Sequence, residues 1–247
     1  MASTSNPWFR EKNLHKAKIA IEVGRFGDSV QFMMEIVKSV VPWTELSLSE
    51  RNFLYTVLMK FFEELRQALN DHNFRSLDSD GVQSEVAKFY SNDIKEQMID
   101  ACKEMKQFIY RWLVLSSRSA EATVFYLTLN VDVSCYLVEL QDDEDVQTMG
   151  NAVIQAYKEA KGVAKTRLSW ASPARLRLAL HMAEFYTEIL QTPEKGVKIA
   201  KKALARADAV TSTVSEEELL NEINELKSKL REYVLLWTND EVSFRSV

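Results

Sequence analysis

Few residues in this chain are placed to do chemistry. The three histidines, His15, His72 and His181, are far apart, and no H-E-x-x-H, C-x-x-C or glycine-rich phosphate loop occurs. Cys135 and His181 are the one pair whose types would serve as thiol nucleophile and base. A cysteine inside an apolar helical pattern more simply fills a core position as an inert thiol, and Cys102 reads the same way, so both are expected reduced. The acidic run Asp142 to Asp145 falls where a helix begins; the helix dipole favours negative charge there, so no calcium is needed to explain it. Lys195, Lys198, Lys201, Lys202 and Arg206 occupy the outer positions of a helix whose inner positions are Val197, Ile199, Ala200, Ala203 and Leu204, and read as a solvated face. With a net charge of −5 and a pI near 5.4, the chain lacks the basic footprint that neutralises phosphates, so no nucleic acid is expected as a partner. No enzyme activity, cofactor or metal is expected.

The elements that carry these residues are helices. Only 6 glycines and 4 prolines occur in 247 residues, too few turn formers for a many-stranded barrel or sandwich. No apolar run approaches the roughly 18 residues of a membrane span, so no membrane is expected as a partner. The polar start, Met1 to Pro7, does not resemble a secretory signal, and a cytoplasmic location is expected. Ser47 with Glu50 and Ser215 with Glu218 fit capping boxes, while Ser172-Pro173 and Thr192-Pro193 place a capping hydroxyl before a proline at the first helical position. The periodicity predicts helices over 10–24, 28–41, 48–73, 83–115, 119–140, 144–166, 173–190, 193–209 and 216–238. The expected class is therefore all-α, with about nine helices in one continuous array over 10–240, a flexible N-terminal arm over 1–9 and a short tail over 241–247. Only Ser76 to Ser84 reads as a loop of any length.

Four blocks then carry a resemblance. They are Glu45-Leu46-Ser47 with Glu50-Arg51-Asn52 and Leu54; Val124-Phe125-Tyr126-Leu127 with Asp132, Tyr136 and Leu137; Pro173, Arg175, Leu176, Leu178-Ala179-Leu180, Phe185-Tyr186, Glu188-Ile189-Leu190 and Pro193-Glu194-Lys195; and Leu236-Trp237-Thr238 with Asp240. Together they resemble the 14-3-3 family, over about residues 10 to 240. The resemblance implies an antiparallel, tetratricopeptide-related nine-helix fold. It also implies an adaptor that dimerises through its N-terminal helices, with itself or a related chain, and binds phosphoserine or phosphothreonine peptides of partner proteins in an amphipathic groove.

The phosphate pocket departs from that pattern. The family's lysine on the third helix becomes Met59, while its arginine is kept as Arg66 seven residues on; the arginine of the Arg-Tyr pair on the fifth helix becomes Cys135, and the tyrosine is kept as Tyr136. Lys60 is a weak substitute, being turned roughly 120° from Arg66. Two asparagines that hold the ligand backbone become His181 and Tyr233, apolar wall positions become Glu184 and Lys229, and Leu180, Leu226 and Leu236 remain. Asp132, Glu139 and Glu188 are kept, and Arg66 has Glu63 on its own helix. A charge-assisted hydrogen bond contributes about 1.5–3 kcal/mol, so the loss of two cations weakens phosphopeptide binding by powers of ten unless something compensates. One compensation is a phosphate held by Arg66, Tyr136 and a protonated His181, with affinity rising as pH falls. The alternatives are a scaffold that reads unphosphorylated partners, and an Arg66 that serves an internal ion pair with Asp132 or Glu188.

In the dimer contact the resemblance places Ile19, Val23, Arg25 and Asp28; the partners of the last two become Gln97 and Asp93, which predicts a weakened dimer. Ser246, one residue from the carboxylate, resembles the C-terminal phospho-motif that this family itself recognises, against the plainer reading of an unmodified frayed end.

Overall fold

The computed structural model describes residues 7–41, 43–77, 81–141, 143–211 and 215–244. Ser246 and the segment after 244 lie outside them. Among the described residues there are nine α-helices and no strand: α1 (Pro7–Glu22), α2 (Phe26–Val40), α3 (Leu48–Leu77), α4 (Val82–Phe108), α5 (Ala120–Glu139), α6 (Asp143–Arg167), α7 (Pro173–Glu184), α8 (Pro193–Asp208) and α9 (Glu217–Phe244). The all-α, nine-helix expectation holds. None of these helices is long and apolar enough to cross a membrane. The chain divides into two compact units at Ser116/Ser117, the first holding α1 to α4 and the second α5 to α9.

Several boundaries differ from expectation, among them the end of α9, which runs to Phe244, past 238 and into the segment expected to be a tail. Helix α1 opens at Pro7, inside the segment expected to be an arm. The expected loop over 76–84 shrinks, because α3 runs to Leu77 and α4 starts at Val82 after Gly81, whose φ of +67° suits a residue without a Cβ. The ends of the predicted 83–115 and 173–190 helices are π-helical, over Ile109–Val114 and Phe185–Ile189. Such widened turns recur where helices carry function.

The caps explain the starts. Ser47 N–H donates to Glu50 Oε2 at 2.8 Å and Glu50 N–H to Ser47 Oγ at 3.2 Å, a closed capping box. Arg10 of α1 grips the same carboxylate, its Nε at 2.7 Å from Oε1, tying α1 to the start of α3. Burial raises the Glu50 pKa, but the hydrogen bonds from Arg10 and Ser47 outweigh it and the net shift is downward. Ser172 caps α7 by accepting from Arg175 N–H, with Pro173 behind it as expected. Two expected caps are corrected. Thr192 stands before Pro193, yet its hydroxyl donates backwards to Tyr186 O at 2.9 Å, closing the π-helical turn instead. At α9, Leu220 N–H donates to Glu216 O, so Glu216 rather than Ser215 is the cap.

Within the first unit, Val30, Met33, Val37 and Val40 of α2 repeat at spacings of three and four and join Leu54, Leu58 and Phe62 of α3 in the core. Cys102 is buried in the same unit and is in no disulfide, a core position as expected. The second unit is centred on Leu176, Leu180, Ala183, Ala200, Ala203, Ala207, Ile223, Leu226 and Leu230. Its alanines bring α8 close to α7 and α9. Glu121, in the first turn of α5, accepts from Ser172 Oγ at 2.6 Å and Ala174 N–H at 2.8 Å, a carboxylate set on the positive end of α7.

Candidate functional site

Helix α5 places Asp132, Cys135, Tyr136 and Glu139 at i, i+3, i+4 and i+7, a single stripe. Helix α7 packs on α5 and turns His181 inward, leaving it 7% exposed. His181 Nδ1 lies 2.6 Å from Asp132 Oδ2, and Tyr157 of α6 donates its hydroxyl to Asp132 Oδ1 at 2.9 Å. A carboxylate only accepts, so Nδ1 carries the proton of that bond. Cys135 Sγ stands 3.7 Å from the Tyr157 hydroxyl and donates to Val131 O at 3.5 Å. Asp132, His181 and Tyr157 thus form one buried chain of polar contacts that ends on the partly buried Cys135.

The electrostatics follow from burial and from Asp132. Burial works against a charged imidazolium, but the charge and hydrogen bond of Asp132, with Glu184 behind them, outweigh it over the opposition of Arg177, and the His181 pKa is raised. Burial pushes the Cys135 thiol far above its ordinary range, and Asp132, Glu139 and Glu184 add to the shift. Such a thiol stays protonated at neutral pH and is no nucleophile, so meeting His181 near one carboxylate does not make the pair catalytic. Burial also raises the Glu184 carboxyl, with Glu188 and Asp132 adding and His181 and Lys229 opposing.

Tyr233, on α9, donates to Ala183 O at 2.9 Å and shares a hydrogen bond with the Thr187 hydroxyl, which closes α9 onto the end of α7. Gly196 makes that closure possible: a Cβ there would stand 2.1 Å from the Tyr233 hydroxyl and 2.6 Å from Ala183 O. Leu180 and Leu226 lie buried in the core, whereas Leu236 is 60% exposed. Lys229 pairs with Glu225 at 2.6 Å on its own helix, and Glu188 is exposed on the π-helical turn. Tyr136 is half-buried on α5.

In the first unit, α3 carries Met59, half-buried, and Arg66, whose side chain is 43% exposed. The Arg66 guanidinium grips Glu63 twice, Nε at 2.9 Å and Nη2 at 2.7 Å from Oε2. Lys60 lies over the Phe26 ring, 5.7 Å from its centre. Ile19 of α1 and Val23, just past its end, are 60% and 65% exposed. Arg25 Nε pairs with Asp28 at 2.6 Å, and Gln97 donates to Asp93 at 2.9 Å, so these four residues satisfy one another two by two within the chain.

Reading residue types missed Tyr157, Thr187 and Gly196. The only trace of Tyr157 was its place in the α6 stripe of Val153, Tyr157, Ala160 and Ala164, which marks burial and says nothing of its hydroxyl. Among the described residues no group of three or more His, Cys, Asp or Glu is arranged to hold a metal ion.

Comparison with known proteins gives one answer. The family model described as 14-3-3 protein matches residues 16–238. The chain is similar to 14-3-3-like protein G-BOX factor 14 kappa of Arabidopsis thaliana, 30% identical over 235 residues that cover 94% of each chain. It is 31% identical to 14-3-3-like protein GF14 psi of the same plant, over 94% of this chain and 91% of that one, and 30% identical to 14-3-3-like protein D of Nicotiana tabacum, over 94% of each.

Proposed function

Because the chain belongs to the 14-3-3 family, a membership that supports an adaptor or scaffold role, we propose that it binds phosphoserine or phosphothreonine segments of partner proteins without catalysing a reaction, and draws less of its affinity from the phosphate than its relatives do. The observation that carries this reading is the double grip of Arg66 on Glu63. With Met59 and Cys135 uncharged at the other two cation positions, an incoming phosphate competes with a carboxylate for its one retained cation. His181 adds little, being committed to Asp132 and 7% exposed. The affinity then rests on the peptide backbone and apolar contacts such as Leu236.

The test is binding of a degenerate peptide library, with and without phosphoserine, to wild type and to Arg66→Ala. Phosphate-dependent binding that disappears with Arg66 is the expected result, with a preference for phosphate of about tenfold, the equivalent of one charged hydrogen bond. Equal binding of both libraries overturns it in favour of a phosphorylation-independent scaffold, which the protonated Cys135 and the internal pairing of Asp132 favour.

A dimer, homomeric or with a related chain, belongs to the same proposal, through exposed Ile19 and Val23 rather than through Arg25 and Asp28, which satisfy each other. Sedimentation at increasing concentration is expected to show association; a monomer mass at every concentration refutes it.

A further inference from the structure

A cavity of about 370 Å³ lies among α6, the start of α7 and α8. Lys161 and Lys165, one turn apart on α6, form one wall, and Lys202 and Arg206, one turn apart on α8, form another. Arg175, in the first turn of α7, closes the ring of cations, with Trp170 at its centre. The Arg175 guanidinium carbon is 3.3 Å from the Trp170 ring centre and that of Arg206 4.3 Å, so the indole holds both forks in place. Arg175 Nη1 also donates to Leu168 O at 2.8 Å. The floor is aliphatic, with Met182 and Ile199 among its residues.

Several other cations of the same unit are held by carboxylates. Arg177 pairs with Glu222, Lys227 and Arg231 with Asp208, and Lys229 with Glu225. Among the described residues, none of the five pocket cations has a carboxylate at salt-bridge distance. Burial lowers the Lys161 pKa, and Lys202 and Arg175 lower it further; burial and Arg206 do the same to Arg175. Five like charges gathered on a concave, partly apolar surface oppose folding, and the aliphatic floor strengthens their attraction for any anion that enters. Three of the five, Lys161, Lys165 and Arg175, lie outside the α8 stretch that reads in sequence as a solvated face; Lys202 and Arg206 of that stretch are exposed as expected and also line this cavity.

We propose that this cavity binds a compact polyphosphate, a small molecule with three or more closely spaced phosphate groups. The charge calls for a multivalent anion, and two guanidinium forks with three ammoniums supply charged donors on several sides. The volume is that of a small-molecule site rather than of a peptide groove. The indole is occupied by Arg175 and Arg206, so the ligand is held by its phosphates and not by a stacked base. Soluble polyphosphates and the phosphorylated headgroup of a lipid share this chemistry.

Titration calorimetry of the full chain in 0.1 M salt, with tripolyphosphate, inositol hexakisphosphate and orthophosphate, tests the site. Both polyphosphates are expected to bind at least tenfold more tightly than orthophosphate. The double variant Lys161→Gln with Lys202→Gln is expected to lose about tenfold or more in affinity, and Arg206→Gln to do so alone. Lys198→Gln, exposed on α8 and outside the cavity lining, is expected to bind as wild type does. The proposal fails if orthophosphate binds as tightly as the polyphosphates, or if both pocket variants keep wild-type affinity. Phosphatidylcholine vesicles with and without phosphatidylinositol bisphosphate separate the sources: co-sedimentation lost in the pocket variants identifies the lipid headgroup, and its absence beside tight soluble binding identifies the free polyphosphate. Because Lys161 and Lys202 are exposed, the double variant folds and its loss reports the ligand.

Discussion

Helix α7 borders two regions that treat charge in opposite ways. Toward α5 it presents His181 to Asp132 at 2.6 Å, with Tyr157 completing the carboxylate's bonds. Toward α6 and α8 it presents Arg175 to four further cations and an indole, with no carboxylate at salt-bridge distance among the described residues. The first region holds the residues that the family resemblance assigns to ligand binding, yet its charges are satisfied internally. The second, although Arg175 and Leu176 belong to the blocks that carry the resemblance, is assigned no ligand by it and keeps its charge available. The residue types at a position therefore do not decide whether it can attract an anion; the partners that packing supplies do.

The sharpest way to break this contrast is to remove one charge from each region. His181→Leu leaves Asp132 buried beside Tyr157 alone and is expected to cost about 3–5 kcal/mol, the usual penalty for deleting one partner of a buried pair, read as a lower urea midpoint. The pair is also titratable. His181 has a folded pKa raised above its unfolded value near 6.5, so its contribution is complete below about pH 6.5 and is lost as pH rises through the folded value. The midpoint difference between wild type and His181→Gln should accordingly shrink from pH 6 to pH 9; a difference that grows with pH would falsify the pairing.

A smaller effect is expected where α8 meets α7 and α9. Gly196→Ala drives a Cβ toward the Ala183 carbonyl and the Tyr233 hydroxyl, and an overpacked contact of this kind costs about 1–3 kcal/mol. An unchanged midpoint would show that α9 yields there without cost. The smallest effect has the opposite sign. Lys161→Gln with Lys202→Gln relieves repulsion between exposed charges and is expected to raise the midpoint by less than about 1 kcal/mol in the absence of ligand. A fall in stability would mean that the pocket cations are held by partners, and the contrast between the two faces of α7 would collapse.

Much of the fold was legible because helix signals are local. Ser47 with Glu50 and Ser172 with Pro173 mark starts that the backbone confirms, while Ser215 and Thr192 mislead by one residue or one bond: a cap is chosen among neighbours by small energy differences, and Thr192 finds a better acceptor in Tyr186 O. The residue types at Met59, Cys135, His181 and Tyr233, which the resemblance marks as departures, were likewise visible, since identity is a property of the residue itself. What each replacement does instead was not. Cys135 turns to Tyr157, 22 residues away, His181 to Asp132, 49 away, and Tyr233 to Thr187, 46 away.

By itself, then, the sequence determined the helical content and the family, because periodicity, capping and residue identity are set within a few positions along the chain. Only the tertiary structure decided which charges are neutralised and which stay open. That outcome depends on distances of a few ångströms between helices far apart in sequence, and Lys202 illustrates it: solvated by its helical register, it becomes part of a pocket because α6 and α7 bring Lys161 and Arg175 alongside.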